Sequence, residues 1–224
     1  FHTTVERRRG LGEIGKGGRP RGLLLHAMLA LDADTGICLG LAGGWIWNRD
    51  GRVKSDRHRR RSEDKESHRW IATAEQAKER LAGAAAVTVV ADRESDIFAL
   101  WARLPGPSFD LIVRAMQDRQ LADGRKLSDT LAAFPLSATA TVALPERTGR
   151  KARSAKLALR FGPVELAAPK NSMEPDLPAT VSLNCVEVIE LDPTKGAEPV
   201  HWRLLTTHPL PDAKAAWQIV GWYK

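Results

Sequence analysis

The sequence has few of the residues that define specialised scaffolds. Its 224 residues include two cysteines, one tyrosine and three methionines. Two cysteines cannot staple a chain of this length, and Cys38 and Cys185 lack the paired spacing of a zinc site. Each stands in an apolar run, so both are expected to be buried thiols in a reducing cytosol. No apolar run reaches the roughly 20 residues of a membrane helix, and nothing has the form of a signal peptide. Residues 1–22 are basic and rich in glycine but contain neither GxGxxG nor GxxxxGK[ST] after a strand. They read as a flexible connector and not as a phosphate cradle. There is no Met at the first position, Phe1, and Lys224 stands inside a helix-like pattern, so both ends are expected to be cut.

What the sequence does contain is an ordinary globular balance, 43% hydrophobic and 27% charged. Thirty-four Lys and Arg against 27 Asp and Glu give a net charge of +7, which favours a polyanionic partner. Leu23 to Leu31 is almost entirely apolar, as a strand buried on both faces would be. The turn formers Asp32 to Gly36 and a second run, Ile37 to Trp47, make it an antiparallel hairpin. Solvated turn positions suit Asp32 and Asp34, and a core position suits His26. Trp70, Ile71, Ala74, Ala77 and Leu81 share one face of a helix predicted from Glu66 to Leu81. Ala86 to Ala91 reads as a short buried strand ending at Asp92, and Phe109 to Ala115 as another. Between them Ser95 can cap a helix whose apolar face is Ile97, Phe98, Trp101 and Leu104. From 137 to 207 the alternation has a period of two, marking an antiparallel β block. Asp212 then caps a helix with Ala216, Val220 and Tyr223 on one side. The order is compatible with an α/β fold, a ribonuclease H-like core interrupted by a β-rich insertion, and with other mixed folds. The divisions expected are 1–116, the N-terminal part of the core; 117–210, the insertion subdomain; and 211–224, the start of a C-terminal helical region.

The segment Asp92-Arg93-Glu94-Ser95-Asp96 carries the most chemical information. A carboxylate at the C-terminal tip of a buried strand has its backbone fixed by the sheet and its side chain at the sheet edge. A hard divalent cation can be held there without burying an unpaired charge. Two such ions, roughly 4 Å apart, activate water and stabilise the leaving oxygen in phosphodiester cleavage. A plain turn, with Glu94 and Asp96 favouring the next helix N-terminus, explains the same residues. The runs Arg57-His58-Arg59-Arg60-Arg61 and Arg147 to Lys156 suit either DNA phosphates or solvent.

The segments LLLHAMLALDADTG, DKESHRWIATAEQA, VTVVADRESDIFALW, FDLIVRA and HWRLLTTHPL…AWQIVGWYK occur in this order. Together they resemble the insertion-sequence-four family of bacterial DDE transposases. The resemblance is strongest at DRESDIFA and between Trp202 and Tyr223, and loosest from 116 to 180. It implies a ribonuclease H-like catalytic core with a β insertion, cytoplasmic and nucleoid-associated. Such a core cuts both strands at transposon ends through a hairpin intermediate and joins the 3′ ends to target DNA. It implies a two-metal magnesium or manganese site, double-stranded DNA as partner and a homodimeric intact parent. Asp92 matches the family's second catalytic Asp, a metal ligand. Trp202 matches a tryptophan that stacks on a flipped base, Tyr223 the tyrosine that opens the Y-R-E-K signature and grips nearby phosphates, and Arg114 an arginine of the same groove. Without the resemblance, Trp202 is an inward strand residue and Tyr223 an ordinary apolar-face residue. The family's first catalytic Asp, with the strand that carries it, would precede Phe1, and its catalytic Glu would follow Lys224. The chain by itself is therefore expected to be inactive. Two rivals are a ribonuclease H-like nuclease without the insertion, and a DNA-binding or inhibitory remnant.

Overall fold

Alternating and continuous apolar runs become two compact units in the computed structural model. It describes residues 2–3, 10–14, 21–49, 67–146, 151–170, 172, 174 and 176–224. The first unit comprises residues 1–85 with 173–175, and the second residues 86–172 with 176–224. The fold is α/β.

In the first unit the glycine-rich N-terminal stretch is not simply a connector. β1 (His2–Thr3), β2 (Gly12–Glu13) and β3 (Arg21–Gly22) form an antiparallel sheet in the order β1-β3-β2. Pairing of backbone groups needs no side-chain pattern, which is why residue types did not signal it. β4 (Leu24–Leu31) and β5 (Cys38–Trp47) form the expected antiparallel hairpin. Its turn is closed by Asp32, whose Oδ1 accepts from Thr35 N at 2.8 Å and Thr35 Oγ1 at 2.6 Å. These bonds from Thr35 hold the Asp32 carboxyl below its ordinary range. Gly36 takes the left-handed conformation the turn requires, with φ +70°.

Helix α1 (His68–Arg80) packs on the hairpin through Ile71, Ala74 and Ala77. Gly43 permits the approach, because a Cβ there would lie 2.6 Å from the Thr73 carbonyl oxygen. Gly44 N donates to Gln76 Oε1 at 3.0 Å, and Arg80 Nη1 to the Ala42 carbonyl at 3.0 Å. His26 is half-buried on this side, edge-on to Trp70. The other side corrects the expectation of burial on both faces. Leu25, Leu29, Leu31, Leu39, Leu41 and Ile46 are each more than half exposed. Among the described residues α1 covers one face, and the period of two along the strands sends alternate side chains to the other. Cys38 lies exposed on β5, contrary to expectation, whereas Cys185 is buried, and burial pushes its thiol strongly upward.

The second unit is built on one mixed sheet. β6 (Val87–Ala91) leads through a 3-10 turn (Arg93–Ser95) and α2 (Phe98–Arg103) to β7 (Phe109–Arg114), which lies parallel to β6. There follow α3 (Leu127–Ala133), β8 (Ala138–Leu144), β9 (Arg153–Ala167), β10 (Thr180–Leu191), β11 (His201–Thr206) and α4 (Ala213–Tyr223). The sheet order is β6-β7-β11-β10-β9-β8, so strands on both sides of residue 116 share one sheet. β8 to β11 are the antiparallel block expected from the alternation.

Phe98, Trp101 and Leu104 are buried as expected and Ile97, at the N-cap of α2, is half-buried, but Ser95 does not cap α2. Its Oγ instead donates to the Asp92 carbonyl at 2.6 Å, tightening the turn that follows β6. Asp212 does cap α4, accepting from Ala215 N at 2.8 Å. α4 closes a core with Leu157, Leu159, Val186, Val188 and Leu204, through Ala216, Ile219 and Val220. Each fully buried aliphatic side chain there contributes roughly 1.5–3 kcal/mol. No helix of the described residues is long and apolar enough to cross a membrane.

Candidate functional site

Asp92, Arg114, Trp202 and Tyr223 come from four elements of the second unit and meet at one end of its sheet. The parallel register pairs Ala91 with Val113. The next residues, Asp92 and Arg114, therefore stand at neighbouring strand tips. β11 runs antiparallel to β7, pairing Leu204 with Arg114, and so brings Trp202 towards the same end. Tyr223 is the last residue of α4, aimed there by the packing of Ala216, Ile219 and Val220.

The contacts are direct. Tyr223 Oη donates to Asp92 Oδ1 at 3.4 Å, across 131 positions of sequence. The Trp202 and Tyr223 rings meet edge to face, their centroids 5.9 Å apart and their planes at 63°. Arg114 Nη2 donates to the His201 carbonyl at 3.3 Å, tying the arginine to the residue before Trp202. Burial raises the Tyr223 hydroxyl above its ordinary range. The Asp92 carboxylate pushes the same way, and Arg114 opposes both. Tyr223 is therefore a neutral hydroxyl at physiological pH, able to donate to a carboxylate or a phosphate. The Asp92 carboxyl is largely exposed, with Arg93 Nε at 3.9 Å.

The other two acids of DRESD diverge. Glu94 is exposed, while Asp96 is buried and ion-paired with Arg119 at 2.8 Å. Its oxygens are taken, so Asp96 cannot serve as a second metal ligand. Among the described residues, no group of three or more His, Cys, Asp or Glu is placed to hold a metal ion. The Asp92 carboxylate, a hard oxygen donor at an open strand tip, fits one ligand position of a magnesium ion and does not make a site alone.

Of the two basic runs, Arg57, Arg59, Arg60 and Arg61 lie outside the described residues, as do residues 147–150. Arg153, expected to face solvent or phosphate, is instead ion-paired. Its Nη2 donates to Glu190 Oε2 at 2.8 Å, and Nη1 bonds the other carboxylate oxygen. The pairing raises the Arg153 guanidinium and holds the Glu190 carboxyl low.

One polar network escaped the sequence reading. Glu187 is buried in the middle of β10 and bonded to Arg160 Nε at 2.6 Å, Arg203 Nε at 2.9 Å and His201 Nε2 at 2.8 Å. Burial by itself would raise its carboxyl, but bonds from His201, Arg203 and Arg160 hold it below the ordinary range. The register places Arg203 and Arg160 opposite Glu187 on its two neighbouring strands. A charge in an apolar run is the signal, and only the pairing register identifies its partners. Glu187 thus fixes the strand on which Trp202 is carried. No known protein-family model matches the sequence.

Proposed function

We propose that the chain is the catalytic-domain portion of a DDE transposase of the insertion-sequence-four family, most like the transposase of transposon five. The core would be ribonuclease H-like with a β-rich insertion. The observation that carries this reading is the convergence of Asp92, Arg114, Trp202 and Tyr223. The resemblance singles out these four by sequence alone, and they come together from the tip of β6 and from β7, β11 and α4.

Each residue has a chemical task. The half-buried Trp202 ring, braced edge-on by Tyr223, offers a face on which an unstacked base can rest. Such stacking is worth roughly 1–3 kcal/mol and offsets part of the cost of extruding the base. Arg114 and the neutral Tyr223 hydroxyl offer donors to the adjoining phosphates. Asp92 offers one carboxylate ligand. Divalent magnesium or manganese, held in part by Asp92, would supply water activation and leaving-oxygen stabilisation. The partner is double-stranded DNA, at transposon ends and at targets, and the cellular setting is the bacterial nucleoid.

Because Asp92 alone does not form the metal site, the chain is expected to bind DNA and not cut it. Incubation with supercoiled plasmid and magnesium or manganese should leave the plasmid intact, and metal-dependent nicking would contradict the assignment of Asp92 as one of three required carboxylates. Fluorescence anisotropy should show tighter binding to a DNA end carrying an unpaired base than to a blunt duplex. Equal affinity for both would remove the basis for the transposase reading.

A further inference from the structure

We propose that Asp96 is a positioning residue for this site: its buried carboxylate clamps the tips of β6 and β7 together and thereby sets where Asp92 and Arg114 project. The inference rests on the DNA-end reading of those two residues.

The contacts run through both strand tips. Asp96 Oδ2 accepts from Met116 N at 2.9 Å, and Oδ1 from Arg119 Nε at 2.8 Å. The Asp96 carbonyl takes a further bond from Arg119 Nη2. The Asp96 side chain is fully buried and that of Arg119 nearly so. Between Asp92 and Asp96 the backbone has little slack. Ser95 N and Oγ both donate to the Asp92 carbonyl, at 3.0 and 2.6 Å, and Asp96 N donates to the Arg93 carbonyl at 3.2 Å. On the other strand Met116 follows Arg114 by two residues, and Ala115 N donates to the Arg203 carbonyl of β11 at 2.8 Å. Arg119 is held in turn, its carbonyl accepting from Leu127 N, the first residue of α3, at 2.9 Å. One carboxylate therefore joins the turn that carries Asp92 to the segment that carries Arg114 and is tied to the Trp202 strand.

A buried ion pair is poor value as a stabiliser, since the cost of desolvating both charges roughly cancels their attraction. Its directional bonds, by contrast, fix a separation that a hydrophobic pair would leave loose. Metal ligation is ruled out as the role of Asp96, because both its oxygens are enclosed and engaged.

Asp96→Ala would strand the buried Arg119 charge and risks unfolding the unit. The informative variant is the double substitution Asp96→Leu with Arg119→Met, which removes both charges and keeps apolar volume. It should fold, with circular dichroism and an unfolding midpoint close to those of the unsubstituted chain. Amide hydrogen exchange at Ser95 to Ile97 and at Met116 should quicken by about tenfold or more, while β9 and β10 stay protected. The preference for DNA with an unpaired 2-aminopurine at its end over blunt duplex should fall about tenfold, with loss of the 2-aminopurine emission change. Plain duplex affinity should hold. A folded double variant with unchanged exchange and unchanged preference would overturn the proposal. If the unsubstituted chain shows no preference for unpaired ends but exchange still quickens on substitution, the clamp stands as a geometric device and the DNA-end reading fails.

Discussion

The two units treat similar apolar strands in opposite ways. Leu23 to Leu31 reads as a strand buried on both faces and Phe109 to Ala115 as a short strand, yet Leu25, Leu29 and Leu31 of the first are exposed, while Leu111, Ile112 and Val113 of the second are completely buried. An apolar run states that burial would be favourable. It does not supply the elements that cover the second face. Among the described residues of the first unit α1 is the helix that packs on the hairpin, whereas β7 lies between β6 and β11 in a larger sheet. Buried charge separates the units in the same way. The second holds Glu187, Glu190 and Asp96, each enclosed with its cations, while the turn acid Asp32 of the first stays exposed.

The largest effect that would break this comparison is loss of a buried anion. Glu187→Ala leaves Arg160 and Arg203 without their shared partner and should cost about 3–5 kcal/mol by urea unfolding; a loss below about 1 kcal/mol would make the network ornamental. The same carboxylate, with Glu190, sets an acid limit. Both have folded values below their ordinary 4.5, so the stability they confer is complete above that value. It is lost as pH falls through the lower folded values. Acid titration followed by near-ultraviolet circular dichroism should show the second unit failing in that window, and a midpoint above the ordinary glutamate value would contradict the assignment.

Next in size is the packing contrast itself. Leu159→Ala removes a fully buried side chain from β9 and should cost about 3 kcal/mol. Leu29→Ala on the exposed hairpin face should change stability by no more than about 0.5 kcal/mol. Similar losses at both positions would show that the hairpin face is covered. Smaller again is Trp202→Ala, which should weaken binding to DNA with an unpaired end by about 1–3 kcal/mol while sparing blunt duplex. An equal loss on both DNAs would make Trp202 a packing residue.

Much of the fold is legible in local sequence, for reasons visible residue by residue. The hairpin turn follows from Asp32 and Gly36, the α4 cap from Asp212, and the position of Asp92 from a short apolar run that stops at an acid. Helix α3 was not legible, because seven residues make too little of a period to read. Ser95 departs from its expected cap because a hydroxyl can serve a preceding carbonyl as readily as a following helix. Cys38 is exposed because an apolar neighbourhood in sequence is not one in space. The candidate site was legible through resemblance, but its internal contacts were not.

What the sequence determined alone is whatever depends on neighbours within a few positions: turns, caps, strand and helix periods, and an acid at the end of a strand. Tertiary structure decided which faces are covered, which cations neutralise Glu187 and Asp96, and that Tyr223 reaches Asp92 across 131 positions. The division has a physical cause. Helical and turn hydrogen bonds and capping act over one turn of chain, whereas sheet pairing, burial and charge pairing depend on whichever distant segments the sheet order brings alongside.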